Sequence, residues 1–404
     1  MEENNNIILF SALDWGLGHT TRSIPILTYY KEQGFNLLIA CAPGSATETI
    51  LGSHFPEANF LPLKGYNISY AKNRKGFALK LILQIPKILR AIRREHAFVG
   101  RIVKKYPICL IISDNRYGFY HPEVKSVFIT HQLTIAAPTV WLEHLIQRIN
   151  YRYIDRFSTC WVPDLAGQLN LAGKLSHPKK LPAIPVQYIG PLSRLQSVSL
   201  SKSSPEPDIC KYSYLFLLSG PEPGRSLLEQ QILAIAFHLP GHLALVRGLP
   251  GENTSRKSKT CFGPATDQPG YSWENNFQSG APASDSLHPP LEVYDYADPD
   301  LLHALVSDAS FIVCRSGYST VMELLLLGKK AIYIPTPGQT EQEYLAVQLK
   351  AQHWAFSFDQ ESKDYLAMLN AAHSFDYRLP VFQLGDINRF LDQHGQPANH
   401  SAIS

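Results

Sequence analysis

Six short stretches hold the residue types from which a polar site can be built, and each follows an apolar run. In Asp14-Trp15-Gly16-Leu17-Gly18-His19-Thr20-Thr21-Arg22, an imidazole stands beside two glycines, where a helix start would present free N–H groups to an anion. His19 is either a polar cap or a proton acceptor, because an unperturbed imidazole titrates near neutrality. Ser113-Asp114-Asn115-Arg116-Tyr117-Gly118 offers an aspartate that either closes an Asx turn or orients a histidine, with Arg116 beside it. Thr130-His131-Gln132 adds a second imidazole, which either meets a ligand or satisfies backbone groups. In Ser219-Gly220-Pro221-Glu222-Pro223-Gly224-Arg225, backbone N–H groups and the Arg225 fork suit phosphate oxygens.

The last two stretches are richer. In Arg315-Ser316-Gly317-Tyr318-Ser319-Thr320-Val321-Met322-Glu323, Thr320 and Glu323 fit a capping box, and Gly328 suits the end of the helix that follows. A capping box leaves Arg315-Ser316-Gly317 unexplained. Hydroxyls and N–H groups at a helix start suit a phosphate, and a carboxylate one turn inside suits a ribose diol. In Pro335-Thr336-Pro337-Gly338-Gln339-Thr340-Glu341-Gln342-Glu343, the side chains of Gln339, Gln342 and Glu343 can pair with a hydroxyl-rich ligand, or merely solvate a helix start. Two common nucleotide motifs are excluded. Thr21 stands at the third glycine position of the dinucleotide fingerprint, and Cys41 stands where a ribose carboxylate would end the second strand. The loop at 219–225 lacks the Gly-Lys-Ser/Thr of a Walker A loop.

The surrounding pattern says what positions these stretches. Strands are expected at 7–13, 36–42, 108–113 and 126–130, with a helix near 20–33 that Gly34 ends. Their apolar runs are continuous rather than alternating, which indicates parallel sheets covered on both faces. A Ser/Pro-rich polar stretch over 192–211 interrupts the pattern, which then restarts with strands at 212–220, 243–248, 291–296, 311–314 and 331–335 and a helix at 227–239. We therefore expect an α/β protein of two Rossmann-like doubly wound domains facing a cleft. The first spans 1–195, the linker 196–211 and the second 212–404, with a flexible insertion at about 250–290. In such sheets ligands lie beyond the carboxyl ends of the strands, where all six stretches fall.

Composition bounds the partners. A chain of 404 residues with 45% apolar and 18% charged residues is ordinary for a globular protein, and +3 is too mild a charge to indicate nucleic acid. The acidic, polar first residues do not read as a signal peptide, and the six cysteines read as buried thiols, so a cytoplasmic location is expected. Residues 72–105 hold eleven Lys or Arg and one acid, Glu95, interleaved with apolar residues, and Pro86 is expected to break their helix. The segment is either a helix with a solvated basic face or a surface for anionic membrane.

Residues 314–346, CRSGYSTVMELLLLGKKAIYIPTPGQTEQEYLA, resemble the donor-binding region of nucleotide-sugar glycosyltransferases of the GT-B type. The likeness is to the family 28 branch, which contains the N-acetylglucosaminyltransferase of peptidoglycan lipid synthesis. It rests on Arg315-Ser316-Gly317, Thr320, Glu323, Pro335 and Gln342, and extends loosely to Gly16-Leu17-Gly18-His19 and His131-Gln132. The resemblance implies a hexosyltransferase. Glu323 would hold the ribose, Thr320 and Ser316 the diphosphate, and Gln342 and Glu343 the sugar, while backbone near Val293-Tyr294 would meet a uracil base. Gly18, Ser219, Gly220, Arg225, Arg315, Gly317 and Gln339 would complete the donor side, with Arg116, His131 and Gln132 on the acceptor side. His19 would deprotonate the acceptor, held by Asp114, in an inverting reaction with no metal and no cofactor. The acceptor would be a glycan or a lipid-linked molecule, placing the protein on the inner face of the plasma membrane. The family usually has Gln where Glu343 stands. A metal-free sugar-nucleotide epimerase and a non-catalytic sugar-nucleotide-binding subunit are the other readings.

Overall fold

The computed structural model describes residues 6–14, 17–66, 74–136, 139–192, 210–220, 222–249, 257–258, 291–382 and 386–397, without the side chains of 17, 74–83 and 257–258. The first half builds β1 (Ile7–Ala12), α1 (Leu17–Glu32), β2 (Asn36–Cys41), α2 (Ala46–His54), β3 (Asn59–Pro62), α3 (Arg74–Lys105), β4 (Ile108–Asp114), β5 (Ser126–Ile129), α4 (Val140–Ile154), β6 (Thr159–Val162) and β7 (Val186–Tyr188). Its strands form one parallel sheet in the order β3-β2-β1-β4-β5-β6-β7. Both faces are covered, which is why the strands read as unbroken apolar runs. Ile8 and Phe10 pack in one cluster with Leu27 and Ile39, and Leu9 packs in another with Val99 and Phe119.

The second half builds β8 (Tyr212–Leu217), α5 (Gly224–Ala236), β9 (Leu243–Val246), β10 (Lys257–Ser258), β11 (Leu291–Tyr294), α6 (Pro299–Ser307), β12 (Ala309–Cys314), α7 (Tyr318–Leu326), β13 (Lys330–Tyr333), α8 (Thr340–Ala351), β14 (Phe356–Ser357) and α9 (Tyr365–His373). The sheet order is β10-β11-β9-β8-β12-β13-β14, parallel except for β10. Strand order reverses between β1 and β4 in the first sheet and between β8 and β12 in the second. Such a switch point opens a crevice at the carboxyl ends of its strands. The α/β architecture of two doubly wound layers is therefore as expected.

Two expectations change, and a third falls mostly outside the described residues. The helix is not broken at Pro86, which lies inside α3. Packing holds the continuous helix there: Ile92 and Val99 are buried and Ile88, Phe98 and Ile102 partly so. The last described segment, α10 (Ile387–Phe390) with the turn Leu391–Gly395, falls within the expected second domain but packs on the first. Leu391 joins the core of the first sheet, Tyr29 Oη donates to Asp392 at 2.5 Å, and Tyr30 Oη donates to the Gly395 carbonyl at 2.8 Å. The expected insertion over 250–290 lies outside the described residues apart from Lys257–Ser258, as does all of 196–209 within the linker. Cys41, Cys109, Cys160 and Cys314 are buried free thiols as expected, Cys210 beside β8 is only half-buried, and Cys261 lies outside the described residues.

Candidate active site

His19 is the third residue of α1, and Asp114 is the last residue of β4, so the β1/β4 switch point brings them together. His19 Nδ1 lies 2.7 Å from Asp114 Oδ1. Arg22, one helical turn after His19 and so on the same face, is only 1% exposed. Its Nε donates to Asp114 Oδ2 at 2.7 Å, its Nη2 donates to Asp114 Oδ1, and its Nη1 lies 2.9 Å from His131 Nδ1. Ser23 Oγ adds a donor to Asp114 Oδ2 at 3.3 Å. Burial opposes ionisation of Asp114, but Arg22 and His19 outweigh it and hold the carboxyl below its usual range. Nδ1 also lies 2.9 Å from Arg22 Nη2, and the nearer anionic oxygen at 2.7 Å favours the tautomer with the proton on Nδ1. In that tautomer the neutral His19 carries its lone pair on Nε2, and its side chain is 17% exposed.

The second domain meets this cluster directly. Glu341, in the first turn of α8, accepts from His131 Nε2 at 2.9 Å and from Gln132 Nε2. The His131 ring lies flat against Tyr318, the first residue of α7, with centroids 4.1 Å apart and planes 8° apart. Tyr318 Oη donates to the Pro163 carbonyl, and Thr340 Oγ1 donates to the Ala136 carbonyl at 3.0 Å, both across the cleft. Gly18 faces Ser319, so that a Cβ on Gly18 would lie 2.5 Å from Ser319 Oγ. The N-termini of α1 and α7 thus converge, and their free N–H groups favour an anion between them.

Several site residues expected from sequence are placed otherwise. Thr320 and Glu323 form no capping box: α7 begins at Tyr318, its N-cap is Gly317, and no side chain caps it. The chain reaches helical geometry three residues earlier than the motif needs, leaving Thr320 inside the first turn. The other end is as expected: Lys329 N bonds Leu324 O, Gly328 N bonds Leu325 O, and Gly328 takes φ 61°, a Schellman ending. Arg315 is not directed at a phosphate. It is 2% exposed and donates to the carbonyls of Ile334, Pro335 and Gly224 and to Gln360 Oε1, tying three loops together. Ser316 Oγ is spent on the Gln342 carbonyl at 2.8 Å. Arg225 is neutralised by Glu222 and Glu229 at 2.6 and 2.9 Å. Val293 and Tyr294 pair with β9 on one side and β10 on the other, so their backbone is within the sheet rather than open to a base. Arg116 is fully buried, donating to the Ala12 carbonyl and pairing with Glu95 at 2.8 Å, which makes it a tie between β1, β4 and α3 rather than an acceptor contact.

The loop before α8 is braced from within. Gln342 Oε1 accepts from Thr336 N at 2.8 Å, Gln342 Nε2 donates to Gln339 Oε1 at 2.5 Å, and Glu343 Oε1 accepts from Gly338 N at 2.9 Å. Ser219 and Gly220 are exposed at the end of β8, where Gly220 takes φ 101°. His131 and Gln132 form a junction with Glu341 of the second domain. Sequence reasoning quoted Arg22, Tyr318 and Glu341 without a role. Only the spacing of Arg22 from His19, one turn, could have signalled its part. One D-x-D spacing, Asp298-Pro299-Asp300, stands against the expectation of metal-independent chemistry. There Asp298 caps α6, accepting from Leu301 N at 2.9 Å, with Pro299 at the first helical position, so a helix start explains the pattern.

Residues 250–371 match the sequence model of the glycosyltransferase family 28 C-terminal domain. No curated protein matches the chain. Among solved structures, the glycotransferase of kitacinnamycin is 14% identical over 96% of this chain and 95% of its own, with a TM-score of 0.57. MurG of Acinetobacter baumannii is 14% identical over 97% and 96%, with a TM-score of 0.51. The spinosyn rhamnosyltransferase SpnG complexed with thymidine diphosphate is 12% identical over 96% and 100%, with a TM-score of 0.55. Identities this low speak for the fold, and the domain match speaks for the chemistry. A match to the family 28 C-terminal domain, lying within the second half of a two-domain α/β fold shared with these structures, supports a glycosyltransferase that resembles family 28.

Proposed function

We propose that the protein moves a hexose-type sugar from a uridine diphosphate sugar to an acceptor hydroxyl, inverting the anomeric carbon without a metal ion. The observation that carries this reading is the 2.7 Å contact between His19 Nδ1 and Asp114, which directs the Nε2 lone pair away from the carboxylate, beside a family 28 domain. His19 Nε2 takes the proton of the acceptor hydroxyl. The acceptor oxygen forms the new bond at the anomeric carbon from the face opposite the leaving group. The bond to the diphosphate breaks with its electron pair staying on the nucleotide. Negative charge grows on the diphosphate, and the converging N-termini of α1 and α7 stabilise it in place of a cation. In this reading Glu323 and Thr320 meet ribose and diphosphate, and the loop braced by Gln339, Gln342 and Glu343 meets the sugar.

A lipid-linked acceptor and a peripheral location at the inner membrane face belong to the same proposal. Lys87, Arg90, Arg93 and Arg94 of α3 are exposed. On α4, Trp141, Leu145 and Ile149 are exposed in one row beside exposed His144, Arg148 and Arg152. Such a face suits anionic lipid. Among the described residues no helix is long and apolar enough to cross a membrane.

The test is incubation with a panel of UDP- and TDP-hexoses, with mass spectrometry of the nucleotide and sugar products. Acceptor-dependent release of UDP is expected, falling roughly 10²–10⁴-fold in His19→Ala while donor binding by thermal shift persists. Near-normal turnover by His19→Ala would remove the histidine from the mechanism. An epimerised donor formed without acceptor would favour the epimerase. Co-sedimentation with anionic vesicles tests the location, and no binding at low salt would end that part.

A further inference from the structure

The polar path between the domains has an order that the reaction alone does not require. Arg22 is the only donor at His131 Nδ1 among the described contacts, 2.9 Å away, so Nδ1 accepts. The ring hydrogen is then on Nε2, where it donates to Glu341 Oε1 at 2.9 Å. His131 is thereby neutral with both nitrogens used. Its neighbours agree: burial above all lowers its pKa, and Glu341 opposes that without overcoming it. On the other side, Asp114 Oδ1 takes both Arg22 Nη2 and His19 Nδ1. The guanidinium is rigid and planar, so its contact with His131 sets the tilt of the fork on Asp114. That tilt places the oxygen on which His19 is hung.

We infer that Arg22 and His131 are positioning residues that make the orientation of His19 depend on docking of the second domain through Glu341. This rests on the reading of His19 as the base. When the domains part, His131 loses its acceptor and the stacking face of Tyr318, and its ring is free to turn away from Arg22 Nη1. Tying the base to closure restricts proton removal to a cleft from which water is excluded, which protects the donor from hydrolysis.

The experiment compares Glu341→Ala with Glu341→Gln in the full chain. Both remove the charge, but the Gln amide oxygen can still accept from His131 Nε2, so only geometry separates them. Histidine ¹⁵N spectra should show His19 displaced from its wild-type resonances in Glu341→Ala and near them in Glu341→Gln. Turnover of a UDP-hexose accepted by the wild type should fall roughly 10–100-fold in kcat in Glu341→Ala, with donor KM little changed, and recover in Glu341→Gln. Unchanged His19 resonances in Glu341→Ala would overturn the inference, as would identical spectra for the two variants. Arg22→Lys, which keeps charge but loses the fork, should mimic Glu341→Ala, and Glu341 decides the matter if that buried variant does not fold. The spectra need no turnover, so displaced His19 resonances together with an active His19→Ala would leave the coupling standing and the base role refuted.

Discussion

Gly18→Ala tests the closeness of the two domains at a single atom. A Cβ at this position would lie 2.5 Å from Ser319 Oγ and 3.0 Å from Ser319 Cβ. Rotation of the serine hydroxyl clears the first contact. The second involves a Cβ fixed to its backbone, and carbon atoms pack at about 3.5–4.0 Å, so α1 and α7 must part by about 0.5–1 Å. The stability of α1 itself should hold or improve, since alanine in a helix is favoured over glycine by about 0.5–1 kcal/mol. The movement acts at the junction where His131 meets Glu341 and Tyr318, and a misplacement near 1 Å can cost about 10²-fold in rate. We expect kcat/KM with the preferred donor to fall by roughly 30–100-fold in Gly18→Ala with no loss of Tm. Ser319→Gly removes both clashing atoms and should restore most of the activity in the double variant. Full activity in Gly18→Ala, or a double variant no better than the single, would refute the packing argument.

Four further outcomes are expected. Thr320→Ala should change stability by less than about 0.5 kcal/mol in urea unfolding, because Thr320 caps nothing. Asp298→Ala, which removes a real cap, should cost about 1 kcal/mol. Arg315→Met should destabilise the second domain by more than about 2 kcal/mol, since it strips buried carbonyls of Ile334, Pro335 and Gly224 of their donor; a variant as stable as wild type would return Arg315 to the ligand. Acid should weaken the protein in two stages. The depressed pKa of His131 means that the unfolded chain takes up that proton first, so stability falls as pH drops below about 6.5. Burial opposes the charge on Asp114 and Glu341, yet their cationic and histidine partners hold both below their ordinary values. Their contribution is complete above about pH 4.5 and is lost on further acidification. Calorimetry from pH 8 to 3 reads both stages, and the first should vanish in His131→Gln.

The sequence by itself determined the layers and where ligands must lie. Unbroken apolar runs such as ILF at 8–10 and CLII at 109–112 can be satisfied only by burial on both sheet faces, which requires parallel strands with helices between them. The turns at 14–22, 113–118, 219–225 and 315–317 then fall at carboxyl ends, and the pairing of His19 with Asp114 follows from two strand ends meeting at a switch point. Less legible were short or partly exposed strands, β3 and β7, whose burial comes from neighbours rather than from their own pattern. Only tertiary structure decided which charged side chains face the cleft. Arg315 and Arg225 stand in loops suited to phosphate, but a guanidinium binds whichever acceptors lie within its reach. Here those are strand-end carbonyls and two carboxylates on neighbouring turns. Glu341 and Tyr318 gained their partners only when the two halves docked, a contact between residues roughly two hundred positions apart that no local spacing encodes.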